Sequence, residues 1–198
     1  MNFINQILAV KDWLSGTRDS MVSNDITLAG TVDATGTFKL GGTAITATAA
    51  ELNRIADKSA SVVTVTDDTT LTVAEHGDRI VVVDKADGAE ITLPDATGSG
   101  VKFTVFISTT ITSNSTTIKA ANSGDGFVGA VTGVDAAGAA KRWAASAGDD
   151  TITLDGGTTG GKTGDFFVFV DAASGTWLLT GVVTQTGTAA TPISDTLS

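Results

Sequence analysis

The residues with the most chemical promise form the run Gly156-Gly157-Thr158-Thr159-Gly160-Gly161-Lys162-Thr163. Its letters fit G-x-x-x-x-G-K-[ST], the pattern of a phosphate-binding loop whose backbone amides cradle an anion and whose lysine adds charge. The mechanism needs a buried strand before the loop and a helix after it, with the helix N-terminus facing the phosphates. Thr151 to Leu154 meets the first requirement. Asp165-Phe166-Phe167-Val168-Phe169-Val170 fails the second, because it reads as another strand. The glycine-rich run is therefore expected to be a hairpin loop, and nucleotide binding is not expected.

His76 is the only imidazole, so a histidine metal site or a Ser-His-Asp triad would have to use it. No G-x-S-x-G elbow is present. Ala74-Glu75-His76-Gly77-Asp78 reads as a polar turn after Val73, with His76 a solvated turn residue. Acidic residues pair at Asp67-Asp68, at Asp84 with Asp87 and at Asp149-Asp150. Two carboxylates can cleave a glycosidic bond when they converge on a cleft, but each of these pairs stands at a strand end, where Asp serves turns through Asx hydrogen bonds. Asp84-Lys85-Ala86-Asp87-Gly88 lacks the alternating oxygen ligands and final Glu of a calcium loop. Asn114-Ser115-Thr116 has the letters of a glycosylation sequon and, with no secretory signal in the sequence, reads as a turn. No catalytic, cofactor-binding or metal-ligating set is expected, and the chain reads as a non-enzyme.

The elements around these residues are mostly strands. Thr is the commonest residue among 198, with 23 Gly and only 17% charged side chains. Stiff β-branched residues punctuated by glycine turns favour β structure. Short apolar and alternating runs recur from Ser61 onward, including Ser61–Thr66, Thr69–Val73, Arg79–Asp84, Val101–Ile107, Thr116–Ala120, Thr151–Leu154, Asp165–Val170 and Thr176–Thr180. They predict an antiparallel β-sandwich, jelly roll or barrel-like domain. Arg79–Asp84 is apolar on both faces and is expected to be central or at a subunit contact. Gly129 to Gly148, rich in Ala with Trp143 as its only large anchor, reads as a long loop. No repeat of 20 to 50 residues is visible, which argues against a solenoid or β-helix.

Two helices are expected. Thr48-Ala49-Ala50-Glu51 is a capping box opening a helix of under three turns, with Leu52, Ile55 and Ala56 as its apolar face. At the N-terminus, Phe3, Ile7, Val10 and Leu14 recur at helical spacing, with Ile4 and Leu8 widening the stripe and Gly16 ending it. This stripe either packs on the protein's own core or joins copies of the chain or a larger surface, because a short helix alone is marginal in water. The chain accordingly divides into a helical arm (1–20), a small β and helix connecting region (21–60) and a β domain (61–198).

Partner classes narrow on charge. A net charge of -10 repels phosphate backbones and anionic lipid, so neither nucleic acid nor membrane is expected as a partner. The absence of Cys removes disulfides and thiolate chemistry and suits a reducing cytoplasm. With no signal peptide, the chain is expected to leave its cell only within a larger assembly.

Two segments resemble virion proteins of tailed bacteriophages. Thr46-Ala47-Thr48-Ala49-Ala50-Glu51-Leu52-Asn53 resembles a T-A-x-E-L-N segment of head decoration proteins and tail fibres. The larger likeness is to head decoration (cement) proteins, through Thr112-Ser113-Asn114-Ser115-Thr116-Thr117-Ile118-Lys119, the succession Asp150-Thr151-Ile152-Thr153-Leu154-Asp155-Gly156-Gly157-Thr158-Thr159-Gly160-Gly161, and the C-terminal stretch from Gly175-Thr176-Trp177 through Pro192. It covers roughly residues 61 to 195; Gly157 and the N-terminal helix depart from it. The resemblance implies a non-enzymatic virion component without a cofactor, a homotrimer bound to the major capsid protein on the capsid exterior. The expected contacts to capsid or trimer partners are Phe3, Ile4, Ile7, Leu8, Val10 and Leu14. A tail-fibre or receptor-binding protein recognising host glycans is the alternative reading.

Overall fold

A computed structural model describes residues 39–40, 42–56 and 61–197 of the chain. The predicted N-terminal helix, with Phe3, Ile4, Ile7, Leu8, Val10 and Leu14, lies outside the described residues. The chain forms two compact units, Met1–Thr48 and Ala49–Ser198.

In the first unit β1 (Lys39–Leu40) pairs antiparallel with β2 (Thr43–Ala44), Leu40 opposite Thr43. The second unit opens with α1 (Ala49–Ala56), which starts directly after Thr48 as the capping box predicts. Its eight residues are just over two turns. Leu52, expected on the apolar face, is 45% exposed.

Strands β3 (Val62–Val65), β4 (Thr69–Thr70), β5 (Arg79–Val83), β6 (Glu90–Thr92), β7 (Lys102–Ile107) and β8 (Thr116–Lys119) follow, with a one-turn helix α2 (Val73–His76) between β4 and β5. Then come β9 (Gly126–Val134), β10 (Ala140–Ala144), β11 (Thr151–Leu154), β12 (Phe166–Ala173), β13 (Thr176–Thr184) and β14 (Ile193–Ser194). They build a seven-stranded sheet of order β10-β9-β13-β12-β7-β5-β3 and a five-stranded sheet of order β14-β11-β8-β6-β4. The expected mainly-β, sandwich-like architecture is present.

Pairing within it is mixed. The pairs β3·β5, β5·β7, β4·β6, β6·β8 and β9·β13 are parallel, and the other pairs of the two large sheets are antiparallel. From β3 to β8 the chain alternates between sheets, each pass adding one strand to each layer in parallel. That winding is solenoid-like, although the sequence shows no repeat and argued against one. Parallel stacking needs only that each pass place apolar side chains inward. Passes of unequal loop length do this without a sequence period. After β8 the pattern ends, because β12 returns antiparallel to β7 and β9 pairs with β13.

The period-two pattern of β13 shows how sequence becomes layer: Trp177, Leu179, Gly181 and Val183 point inward and Leu178, Thr180, Val182 and Thr184 outward. Phe103, Phe167, Phe169 and Trp177 are fully buried, with Phe103 edge-on to Trp177 at a centroid distance of 5.7 Å and Phe127 tilted on Phe169 at 5.3 Å. Each such ring contributes about 1.5–3 kcal/mol by burial. Ile91, Leu93, Ile118, Ile152 and Leu154 complete the same core from the five-stranded sheet. Arg79–Val83 is an inner strand of the seven-stranded sheet, as expected for its two apolar faces.

Gly129 to Gly148 is not a long loop. Its ends are β9 and β10, a hairpin with Ala130 opposite Ala144 and Val131 opposite Trp143. Ala and Gly hide the alternation because small residues carry little hydrophobic signal. Gly129 has a physical reason to be small: its φ is +139°, and a Cβ there would collide with the Leu179 carbonyl on the parallel neighbour β13. Gly129→Ala is therefore expected to destabilise the fold by about 2–4 kcal/mol. Gly138→Ala, at φ +78° in open space, is expected to cost about 1 kcal/mol. Chemical denaturation midpoints check both.

Candidate functional site: a filled anion nest and an apolar sheet face

The glycine-rich run leads from strand to strand as the sequence predicts, but it is not the expected hairpin: it crosses from β11 of one sheet to β12 of the other, and the two strands do not pair. Its amides face carboxylates of the chain itself. Asp155 Oδ1 accepts the N–H groups of Gly157 (2.7 Å) and Thr159 (2.9 Å), and Oδ2 accepts the Thr158 hydroxyl (2.6 Å). Asp165 Oδ2 accepts from the N–H groups of Gly161 (2.8 Å) and Lys162 (3.0 Å), while Oδ1 accepts from Thr184 N–H (2.8 Å). A nest of amides can hold an anion, and here two internal carboxylates occupy it. Gly156 serves packing, since a Cβ at its φ of +75° would strike the Ile111 carbonyl.

The same device recurs. Asp171 accepts from Gly98 N–H (2.7 Å), Ser99 N–H (2.9 Å), the Ser99 hydroxyl (2.7 Å) and the Thr97 hydroxyl (3.0 Å). Asp150, from one expected acidic pair, accepts from the N–H groups of Thr196 and Leu197, each at 3.0 Å, and so fastens the C-terminal segment. Its neighbour Asp149 accepts from Ser146 N–H at 2.7 Å. Asp67 pairs with Lys85 (3.0 Å), Asp68 accepts from Glu90 N–H (2.8 Å) and Asp84 accepts from the Thr109 hydroxyl. The backbone carbonyl of Asp87 accepts from the Asn114 side chain (3.0 Å), and Asn114 sits at φ +54° in the turn that the sequence predicts. Each acidic pair holds loop backbone or a local partner, and among the described residues no group of three metal-ligating side chains converges.

His76 departs from the sequence reading. It is 6% exposed, at the end of α2 instead of in a solvated turn, and its Nδ1 accepts the Thr72 N–H at 3.1 Å. Thr72 in turn caps α2, its hydroxyl accepting the Glu75 N–H. A four-residue helix gives too weak a period to be seen in sequence.

Beyond the two-faced strand Arg79–Asp84, sequence reasoning missed the outer face of the seven-stranded sheet. One row across it reads Thr64, Val82, Phe106, Phe166, Val182 and Thr132; the next reads Val62, Ile80, Thr104, Val168, Thr180 and Ala130. Val170, Leu178 and Val128 form the start of a third. Val128 is 57% exposed, Val62 54% and Leu178 46%. At the β9–β10 end the face dips into an open depression of about 490 Å³ lined by Thr132, Val134, Arg142 and Val182. The outer face of the five-stranded sheet is dressed oppositely, with Thr70, Thr92, Thr117, Thr153 and a Lys119–Glu90 ion pair at 2.7 Å. Assigning a strand residue to one face or the other requires the strand order, which no single window contains.

The carboxylates give the fold a pH signature. Burial opposes ionisation of Asp171, but the hydrogen bonds from Ser99, Gly98 and Thr97 outweigh it and hold the carboxyl at about 2. Asp155 is likewise pulled below the ordinary range, its donors from Thr158, Thr159 and Gly157 overcoming burial. For both, the folded value lies below the unfolded one, so their stabilisation is present above pH ~4 and is lost as pH falls toward 2. Asp165 has the opposite sign, because burial outweighs its N–H donors and raises its pKa; its term declines as pH rises through the raised value. Asp171→Asn is expected to cost about 2 kcal/mol at pH 6 and markedly less at pH 3, measured by urea unfolding at the two pH values.

Comparison of the chain with family models, with curated proteins and with solved structures gave no match.

Proposed function

We propose that this chain is a bacteriophage virion structural protein that decorates and stabilises the outer surface of the capsid as a trimeric cement or head-fibre protein. One observation supports this most. The two segments that carry the resemblance, Thr112 to Lys119 and Asp150 to Gly161, are separated by 30 residues, yet their strands β8 and β11 pair in register, Ile118 opposite Ile152 and Thr117 opposite Thr153. The likeness thus falls on one contiguous structural unit and not on scattered letters. The glycine-rich end of that unit is filled by Asp155 and Asp165, which favours a structural role over phosphate binding.

In this reading the β domain is the rigid body and the apolar stripe of Phe3, Ile4, Ile7, Leu8, Val10 and Leu14 contacts the major capsid protein or the other copies. Three copies bridging neighbouring capsomers gain avidity, because the second and third contacts form within one assembly. The glycan-binding alternative draws on exposed aromatic side chains. Trp177 is buried against Phe103 and Trp143 packs partly buried on the core, so neither is offered to a sugar.

Immunogold labelling of virions is expected to mark heads; labelling of tails would replace this reading with the receptor-binding one. Ile7→Asp with Leu14→Asp is expected to weaken attachment to capsids at least tenfold in a co-sedimentation assay. Unchanged attachment would remove the anchoring role from the stripe.

A further inference from the structure

The outer face of the seven-stranded sheet breaks the rule that the rest of this surface follows. A solvent-facing sheet normally alternates apolar-in and polar-out, and the five-stranded sheet obeys with Thr, Lys and Glu. The seven-stranded sheet has Val, Ile, Leu and Phe on both faces. Seven strands at about 4.8 Å spacing and about six residues at 3.3 Å each make this face on the order of 600 Å². Threonines share that area with the apolar side chains, and at this size the face approaches the ~800 Å² per partner of a standard interface.

Charge selects the occupant. The molecule carries a net charge of -10, so two copies repel wherever carboxylates meet. Among the described residues no Asp or Glu stands in the interior of these rows; the charged side chains lie at the margins, Lys102 with Asp78 accepting its N–H at 3.3 Å, Asp84 two residues beyond Val82, and Arg142 on β10. Copies can therefore meet across the interior of the face without bringing carboxylates together. Because its interior is uncharged, it needs no complementary charge on a partner. Sheets of equal twist pack in alignment about 10 Å apart.

We propose that this face is buried against other copies of this chain. The inference rests on the reading under Proposed function only for the copy number, which places three such sheets around a common axis; the contact itself is argued from the face. Closed symmetry then removes the apolar surface from solvent in every copy.

The full-length chain is expected to sediment as an assembly, with a mass near three times 19.9 kDa for the trimer. Leu178→Glu and Ile80→Glu, which change side chains already exposed in the single chain, are expected to weaken association at least 100-fold with the β-sheet circular dichroism retained. Thr70→Glu, on the outer face of the other sheet, is expected to leave association unchanged. A wild-type chain monomeric at 100 μM, or a Leu178→Glu chain that assembles like the wild type, overturns the proposal.

Because the chain has no Cys, a nitroxide can be placed at Val128→Cys or Thr70→Cys without competing thiols. Shorter inter-copy distances from position 128 than from position 70 support the proposal without a disruptive charge, and the reverse order overturns it. Capsid co-sedimentation separates the two readings. Assembly through this face without capsid binding removes the proposed function and leaves the interface; capsid binding by a monomeric wild-type chain does the opposite.

Discussion

A chain that crosses repeatedly between two sheets must satisfy the backbone of its crossing segments, and at several of them this structure does so with carboxylates. Asp165 fastens the β11–β12 crossing and the end of β13, and Asp171 fastens the segment that brings the chain from β6 back to β7. Asp125 adds a hold on that same segment by accepting the Ala96 N–H, and Asp150 ties down the C-terminal residues. All four are almost fully buried. Asp171, held below the ordinary carboxylate range, accepts as an anion, and such hydrogen bonds are roughly twice as strong as neutral ones; at all four, a buried backbone amide left without a partner would be costly.

The same economy explains the site that looks like chemistry. Glycines and amides at the β11–β12 crossing have the composition of an anion nest because they do bind anions, namely the side chains of Asp155 and Asp165. Gly156 is there because the loop passes against Ile111. Acidic pairs that could suggest catalysis are absorbed in the same way, each spent on a local backbone or side-chain partner.

What remains unspent is surface. Among the described residues the outer face of the seven-stranded sheet carries most of the exposed large apolar side chains, in contrast with the polar outer face of the five-stranded sheet. The proposed contact between copies would account for these apolar rows.

The sequence by itself determined the strand content, the helix after Thr48 and the strand-loop-strand nature of the glycine-rich run, because those depend on local periodicity and turn chemistry. It mistook Gly129 to Gly148 for a loop, since Ala and Gly carry no pattern, and it placed His76 in solvent, since a single helical turn is too short to show a period. Only the tertiary structure decided the parallel winding from β3 to β8, the carboxylate partners of the loop amides and the apolar sheet face. Each of these depends on which strand lies beside which, as Val82 beside Phe106 and Phe106 beside Phe166. Such neighbours are far apart in the chain, and loop lengths and core packing choose them together.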